Sequence, residues 1–519
     1  MIEGCSSACQ GGNDDCTTCA GLGALELEIK EAEENLKLLH RKLQQKKISI
    51  NFAHSPIFER FPNEVMSNIF LTCNERHRRP HRYYEAHDFE MYKNTSVPIK
   101  LGEVRKLWRE IALSTPHLWT QIYICLDNHR HQSKSLSALQ DILSRSKHFP
   151  LEIGIFFESP SHSVHFPPDK RNLYASILST LASHSQRWRS LDVFLPSLLI
   201  NYIFDSISDL CELQLLHVHR SDARYSELEW SHKTLQAKSL TLVNLSPTKL
   251  NIRWDIVTHV VAKEFTTENA VQLIMLASSL ESYELTHLDE EIAIEGNLPQ
   301  IENVNIEFLS YDSTNMVDDY ENIFAFSTFP SLTKLVYNTW KRSREIYLLQ
   351  CMETSFTFFL THLQISRAYF DSWYLIALFE AIPSITHLQL SPEPHDHAFD
   401  DYEINAFFKR LAERKDPNGR MILPSLQSFE YKSSWEFPWH LVSGFFGEPN
   451  SASDEYLRPL KHFKLVNSSD FLGDFAIPKD TLIHLVELRR KGFHIMYEGC
   501  EYRKEDLFQA SLEFHNLPL

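Results

Sequence analysis

One apolar phrase recurs along most of this chain and constrains it more than any other feature. An apolar residue, two others, an apolar residue, one other and a third apolar residue begin at Trp188, Leu210, Ala237, Leu280, Ile301, Leu332, Leu360, Ile385, Leu426 and Leu460. The last two apolar positions lie two apart, so on a strand they point to one side, and the first anchors the turn into it. A single phrase cannot bury its own apolar side, so the phrases must stack as neighbouring strands. The steps between starts run from 21 to 43 residues and average about 30. Pro-Ser pairs at Pro330, Pro383 and Pro424 suit a loop descending into the strand. The two longest internal steps, 237 to 280 and 385 to 426, are expected to hold inserted chain. Upstream, 120–126 and 151–156 read as strands, each followed by a helical pattern, at 135–147 and 170–185. A generic mixed α/β domain with chance phrases is the competing reading.

The 519 residues carry 51 Lys and Arg against 68 Asp and Glu, a formal charge of -17, which disfavours a nucleic-acid surface. With only 14 Gly and no Walker, dinucleotide or kinase signature, phosphate-cradling chemistry has no foothold. No catalytic constellation stands out, and nothing calls for a cofactor. The most apolar stretch, Tyr374 to Ile382, is about half a bilayer span, so no membrane segment is expected. The start lacks a secretory pattern and the nine cysteines are sparse and odd in number. Both suggest an intracellular protein, cytoplasmic or nuclear.

Four of those cysteines, Cys5, Cys9, Cys16 and Cys19, crowd into residues 1–24. A polar, disordered head is the expectation there, since little chain separates the two pairs, and a zinc site is the weaker alternative. In the loop after Pro392, His395, His397 and Asp400 likewise read as solvated rather than metal-binding. Over 25–48, Leu25, Ile29, Ala32, Leu36, Leu39 and Leu43 alternate at gaps of four and three among Glu and Lys. That is a heptad helix, which either self-associates as a short coiled coil or leans on the rest of the chain.

Residues 55–119 are the most informative. Phe61-Pro-Asn-Glu-Val65 opens a helix in which Val65, Ile69 and Phe70 share a face. After a polar insertion at 72–100, rich in Arg and His between Arg76 and Arg82, a second helix over 101–113 aligns Leu101, Val104, Trp108 and Ile111. It ends at Ser114-Thr-Pro116, with Arg105 facing away from the stripe.

The segments Phe61 to Val65, Ile69-Phe70, Val104-Arg-Lys-Leu-Trp-Arg-Glu-Ile-Ala112 and Ser114-Thr-Pro-His-Leu-Trp119 resemble an F-box, in particular the F-box-like proteins of mushroom-forming fungi. The resemblance implies docking on a Skp-type adaptor and, through it, on a cullin. Phe61, Pro62, Val65, Ile69 and Phe70 would lie at the docking surface, with Val104, Leu107 and Trp108 completing or supporting it. The phrases over 120–519 resemble the divergent leucine-rich repeats often attached to F-boxes. The expected protein is therefore α/β in class: a short coiled-coil helix, a small all-helical F-box, and an irregular leucine-rich-repeat solenoid. Its implied role is a non-catalytic substrate receptor of a ubiquitin ligase, with an unknown target on the repeats. A ligase-independent repeat scaffold is the alternative.

Overall fold

The computed structural model describes residues 17–53, 61–75, 97–126, 132–157, 168–207, 212–220, 233–288, 299–313, 323–339, 359–366, 372–392, 401–413, 421–434, 437–446, 458–468, 476–499 and 506–517. They fall into two compact units, a helical one up to Leu118 and an α/β one from Trp119 onward.

The helical unit opens with α1, Thr17–Ala53, a 37-residue helix. It starts ahead of the heptad run, so the head expected over 1–24 is helical from Thr17, and Cys19 lies in the helix. Cys5, Cys9 and Cys16 lie outside the described residues, as do most of the polar insertion and the His395 to Asp400 loop. Then come α2 (Asn63–Glu75), α3 (Val97–Val104) and α4 (Lys106–Ser114). The single helix expected over 101–113 is instead two, because Arg105 is extended at φ -164° and ψ 165°. Arg109 Nε spans the break and donates to Gly102 O at 2.9 Å, satisfying a carbonyl at the end of α3.

The α/β unit is one long sheet. Its strands are β1 (Gln121–Cys125), β2 (Leu151–Phe156), β3 (Trp188–Leu195), β4 (Glu212–Arg220), β5 (Gln236–Val243), β6 (His259–Lys263) and β7 (Ser282–Thr286). They continue as β9 (Phe308–Ser313), β11 (Lys334–Thr339), β12 (His362–Ser366), β13 (His387–Ser391), β14 (Ser428–Ser433), β15 (His462–Asn467) and β16 (His494–Glu498). All neighbours are parallel, and the order across the sheet is the order along the chain. The two-residue strands β8 (Ile301–Glu302) and β10 (Ser327–Thr328) pair only with each other. Crossovers carry the helices α5 (Gln132–Arg145), α6 (Pro168–Ala182), α7 (Ser197–Ser206), α8 (Thr267–Leu276), α9 (Ile323–Phe326), α10 (Ser372–Ala381), α11 (Asp401–Ala412), α12 (Val442–Phe446) and α13 (Lys479–Arg490). The last helix, α14 (Leu507–Phe514), follows β16. This is a solenoid-like α/β architecture, mixed in secondary structure.

The recurring phrase is the reason for the sheet. Leu240, Leu335 and Leu390 are fully buried toward the helices, while the residues just before and after each of them are half-buried or exposed. Parallel sheets are normally buried on both faces, as β2, β3 and β4 are here; β6, β12, β13 and β14 instead alternate, so one face packs and the other is open. Two phrases sit elsewhere than the sequence suggested. Leu210 lies outside the described residues, and β4 buries Leu213, Leu216 and Val218 while Leu215 is half-buried, so its phrase starts at Leu213. Likewise Val304 is exposed, and Ile306, Leu309 and Tyr311 form the buried set of β9, so the start at Ile301 is displaced. The long step from 237 to 280 is not an insertion: Val257, Val260 and Ala262 form a phrase of their own, on β6. With these corrections, starts from Trp188 to Ile385 are 20 to 28 residues apart, and the step of 41 that follows carries α11.

Backbone devices repeat with the phrase. Asn244, Glu264 and His287 each follow the last residue of a strand and all adopt left-handed φ of 53–56°. The amides of Asn244 and Glu264 donate to the final carbonyl of the next strand, Lys263 O at 3.0 Å and Thr286 O at 3.1 Å. On β2, Gly154 lies under the Tyr123 ring. A Cβ there would collide with Tyr123 and stand 2.8 Å from Phe156 Cε2, so only glycine fits.

Candidate interaction surfaces

In the helical unit, Pro62 O accepts from the amides of Val65 and Met66 at 3.1 and 3.2 Å, so the proline starts α2, and Glu64 lies in its first turn. From there two stripes separate. Met66, Phe70 and Asn74 are buried at four-residue spacing. Phe61, Val65 and Ile69, spaced by four as well, are exposed at 45, 37 and 41%. Phe70 therefore does not share the Val65–Ile69 face; it is core at 1% exposure, its ring 5.0 Å from that of Trp108. This corrects its expected place on a docking surface: a side chain sealed inside cannot touch a partner. Trp108 and Leu107 are half-buried, and Pro62 is exposed. On α3, Ile99 and Val104 point outward at 50 and 60% exposure. Ile111 and Ala112 close the interior from α4.

A hydroxyl pair ties the ends of this unit. Thr115 Oγ1 donates to Ile111 O at 2.7 Å, so its oxygen is left to accept from Ser67 Oγ at 3.0 Å. The outward apolar stripe of α2 thus rests on an ordered frame.

The open face of the sheet is the second surface. Its first row across neighbouring strands reads Ser239, His259, Ser282, Phe308, Lys334, His362, His387, Ser428, His462 and His494. The rings of His362 and His387 stack at 4.1 Å and 9°, and Lys334 Nζ lies 5.0 Å from the Phe308 ring centre. A Thr-His pair recurs at Thr258, Thr361 and Thr386, whose hydroxyls stand 2.8–2.9 Å from the next histidine's Nδ1. Each hydroxyl also donates to a carbonyl of the preceding repeat, Lys238 O, Thr333 O and Thr361 O. With its proton so placed, the hydroxyl accepts from Nδ1–H. Burial, then His387 and Lys334, holds His362 below its ordinary pKa. The row had a sequence signal, the repeated Thr-His dipeptide, but no motif to give it meaning. Further along, Lys464 Nζ lies 3.2 Å from Glu498 and 3.9 Å from Glu430.

One deeply buried pair sits on the same face: His217 Nδ1 lies 3.2 Å from Asp192 Oδ1. Beside it His219 meets the Phe194 ring edge-on at 4.4 Å. Desolvation first, then His217 and Lys263 against the opposing pull of Asp192, pushes His219 down to about 3. Among the described residues, no group of three or more His, Cys, Asp or Glu side chains is placed to hold a metal ion, and no helix is long and apolar enough to cross a membrane.

The chain matches no protein-family profile and no curated protein sequence.

Proposed function

We propose that this chain is a non-catalytic substrate receptor of a Skp/cullin/F-box ubiquitin ligase. Its helical unit is an F-box that docks on a Skp-type adaptor, and its sheet is an array of divergent leucine-rich repeats that holds a target protein on the open face. The observation that carries this reading is the outward pair Val65 and Ile69, extended by Phe61 just before it, on a helix whose other stripe is already used for the core. A two-stripe helix of this kind has one face for its own fold and one for a partner. Pro62, Val104 and the exposed edges of Leu107 and Trp108 supplement the stripe, and Phe70 supports it from beneath.

Co-purification of the full chain with a Skp-type adaptor tests the proposal. Val65→Glu plus Ile69→Glu changes only exposed positions, so it should abolish capture while leaving the helical content unchanged. Failure of the unaltered chain to bind the adaptor at about 10 µM would instead favour a ligase-independent scaffold, a reading that the sealing of Phe70 supports because it shrinks the available docking set.

A further inference from the structure

We propose that α1 joins two copies of this chain as an antiparallel helix pair. Every described residue from Ala24 to Ile50 is exposed, including the heptad positions Leu25, Ile29, Leu36, Leu39 and Leu43 at 51–61%. No described residue of its own unit covers this face of the helix, and its apolar seam at 3.5-residue spacing is shaped for another helix. What selects that helix is charge. Between residues 26 and 34 there are five glutamates and one lysine; between 37 and 47 there are five Lys and Arg and no acid.

The sign of each half decides the partner's direction. A parallel second copy brings Glu28 beside Glu33 and Lys42 beside Lys47, like charges in both halves. Reversed, the copy lays its basic half along the acidic half of the first. Leu36 then faces Leu39 of the other copy, Leu25 faces Ile50, and Glu26 lies by Lys47. The arrangement is a two-fold, self-complementary interface, closed at two chains. The helix's own macrodipole also favours acids first and bases last, but that effect fades within one turn of each end, whereas these charges run through the body of the helix.

Light scattering on the full chain during gel filtration, at about 50 mM salt to preserve the ionic contacts, tests the inference. The expected mass is twice the chain's 60.6 kDa, falling to one chain with Leu36→Glu plus Leu39→Glu. Replacing Glu26, Glu28 and Glu33 by lysine should also give single chains. Adding Lys42→Glu and Lys47→Glu to that variant should restore the pair. A single chain throughout about 1–50 µM, a pair that survives the leucine substitutions, or a pair indifferent to the first charge reversal would each overturn it. Because the altered positions are exposed, proteolytic protection of the sheet should be the same in every variant.

Discussion

The rings of Phe70 and Trp108 meet at 5.0 Å and 57°, joining α2 to α4 in the centre of the helical unit. Trp108→Ala should cost about 2–3 kcal/mol, because the partly exposed tryptophan would leave a gap against a fully buried phenylalanine. Hydrogen exchange across α2 is the measurement, and it should accelerate more than tenfold. Val65→Ala and Ile69→Ala, on the outward stripe, should alter the same exchange by no more than about 0.5 kcal/mol. If the two classes of substitution behaved alike, the separation of core and outward stripes would be wrong.

Gly154→Ala adds a Cβ where Tyr123 and Phe156 already stand. Displacing two rings at the start of the sheet should destabilise the α/β unit by about 1–3 kcal/mol. The denaturation midpoint reports this, and Tyr123→Ala in the same chain should recover part of the loss by emptying the space.

Arg458, 3% exposed, donates from Nε and Nη2 to Ile422 O and from Nε to Leu423 O, and Leu423 holds a left-handed φ of 49°. Burial first, then Arg410, lowers its pKa to about 10, still well above neutrality. Arg458→Leu strands two carbonyls and should cost about 2–4 kcal/mol. Arg458→Lys should recover less than half, since a single ammonium cannot span both carbonyls. Thermal melts of the three proteins would settle the order.

Acid should weaken the sheet well before carboxylates dominate. His219 is held near 3, so below its unfolded value of 6.5 the unfolded chain takes up a proton that the folded chain refuses. Stability then rises with pH across that window and is lost as pH falls from about 6.5 toward 3, by roughly 2–4 kcal/mol after allowing for partial exposure. His184, His362 and His484 are lowered too, by burial first, and add to the slope. His219→Phe keeps a ring against Phe194 and should flatten the dependence. An unchanged slope between pH 6.5 and 4 would remove His219 from the account.

Much of the sheet could be read before any coordinates, because burying a strand on one face leaves a periodic apolar trace. Eight of the ten phrases fall on the strands they announce, from Trp188-x-x-Leu191-x-Val193 to Leu460-x-x-Phe463-x-Leu465. The misplacements have a common origin. Near 210 and 301 two overlapping apolar sets compete, and only packing against the helices selects Leu216 and Val218 over Leu215 and Ile306 over Ile301. β6 escaped notice because its phrase ends on alanine, whose small side chain fills a buried position while adding little hydrophobic signal. In the helical unit, the apolar positions were legible but not their division into stripes. Val65, Ile69 and Phe70 look alike in sequence, and a rotation of one residue, 100° on a helix, separates a sealed ring from two open side chains. The break at Arg105 carried no glycine or proline to announce it.

The order of the strands, identical in chain and sheet, bears on how such a protein changes over generations. Each strand of the long sheet pairs only with the strands of that sheet before and after it in the chain, so a gene that gains or loses one loop-and-strand module shifts everything downstream along the stack without rethreading it. The breadth of the exposed ledge is then a length that duplication can adjust, independently of the sequence written on it.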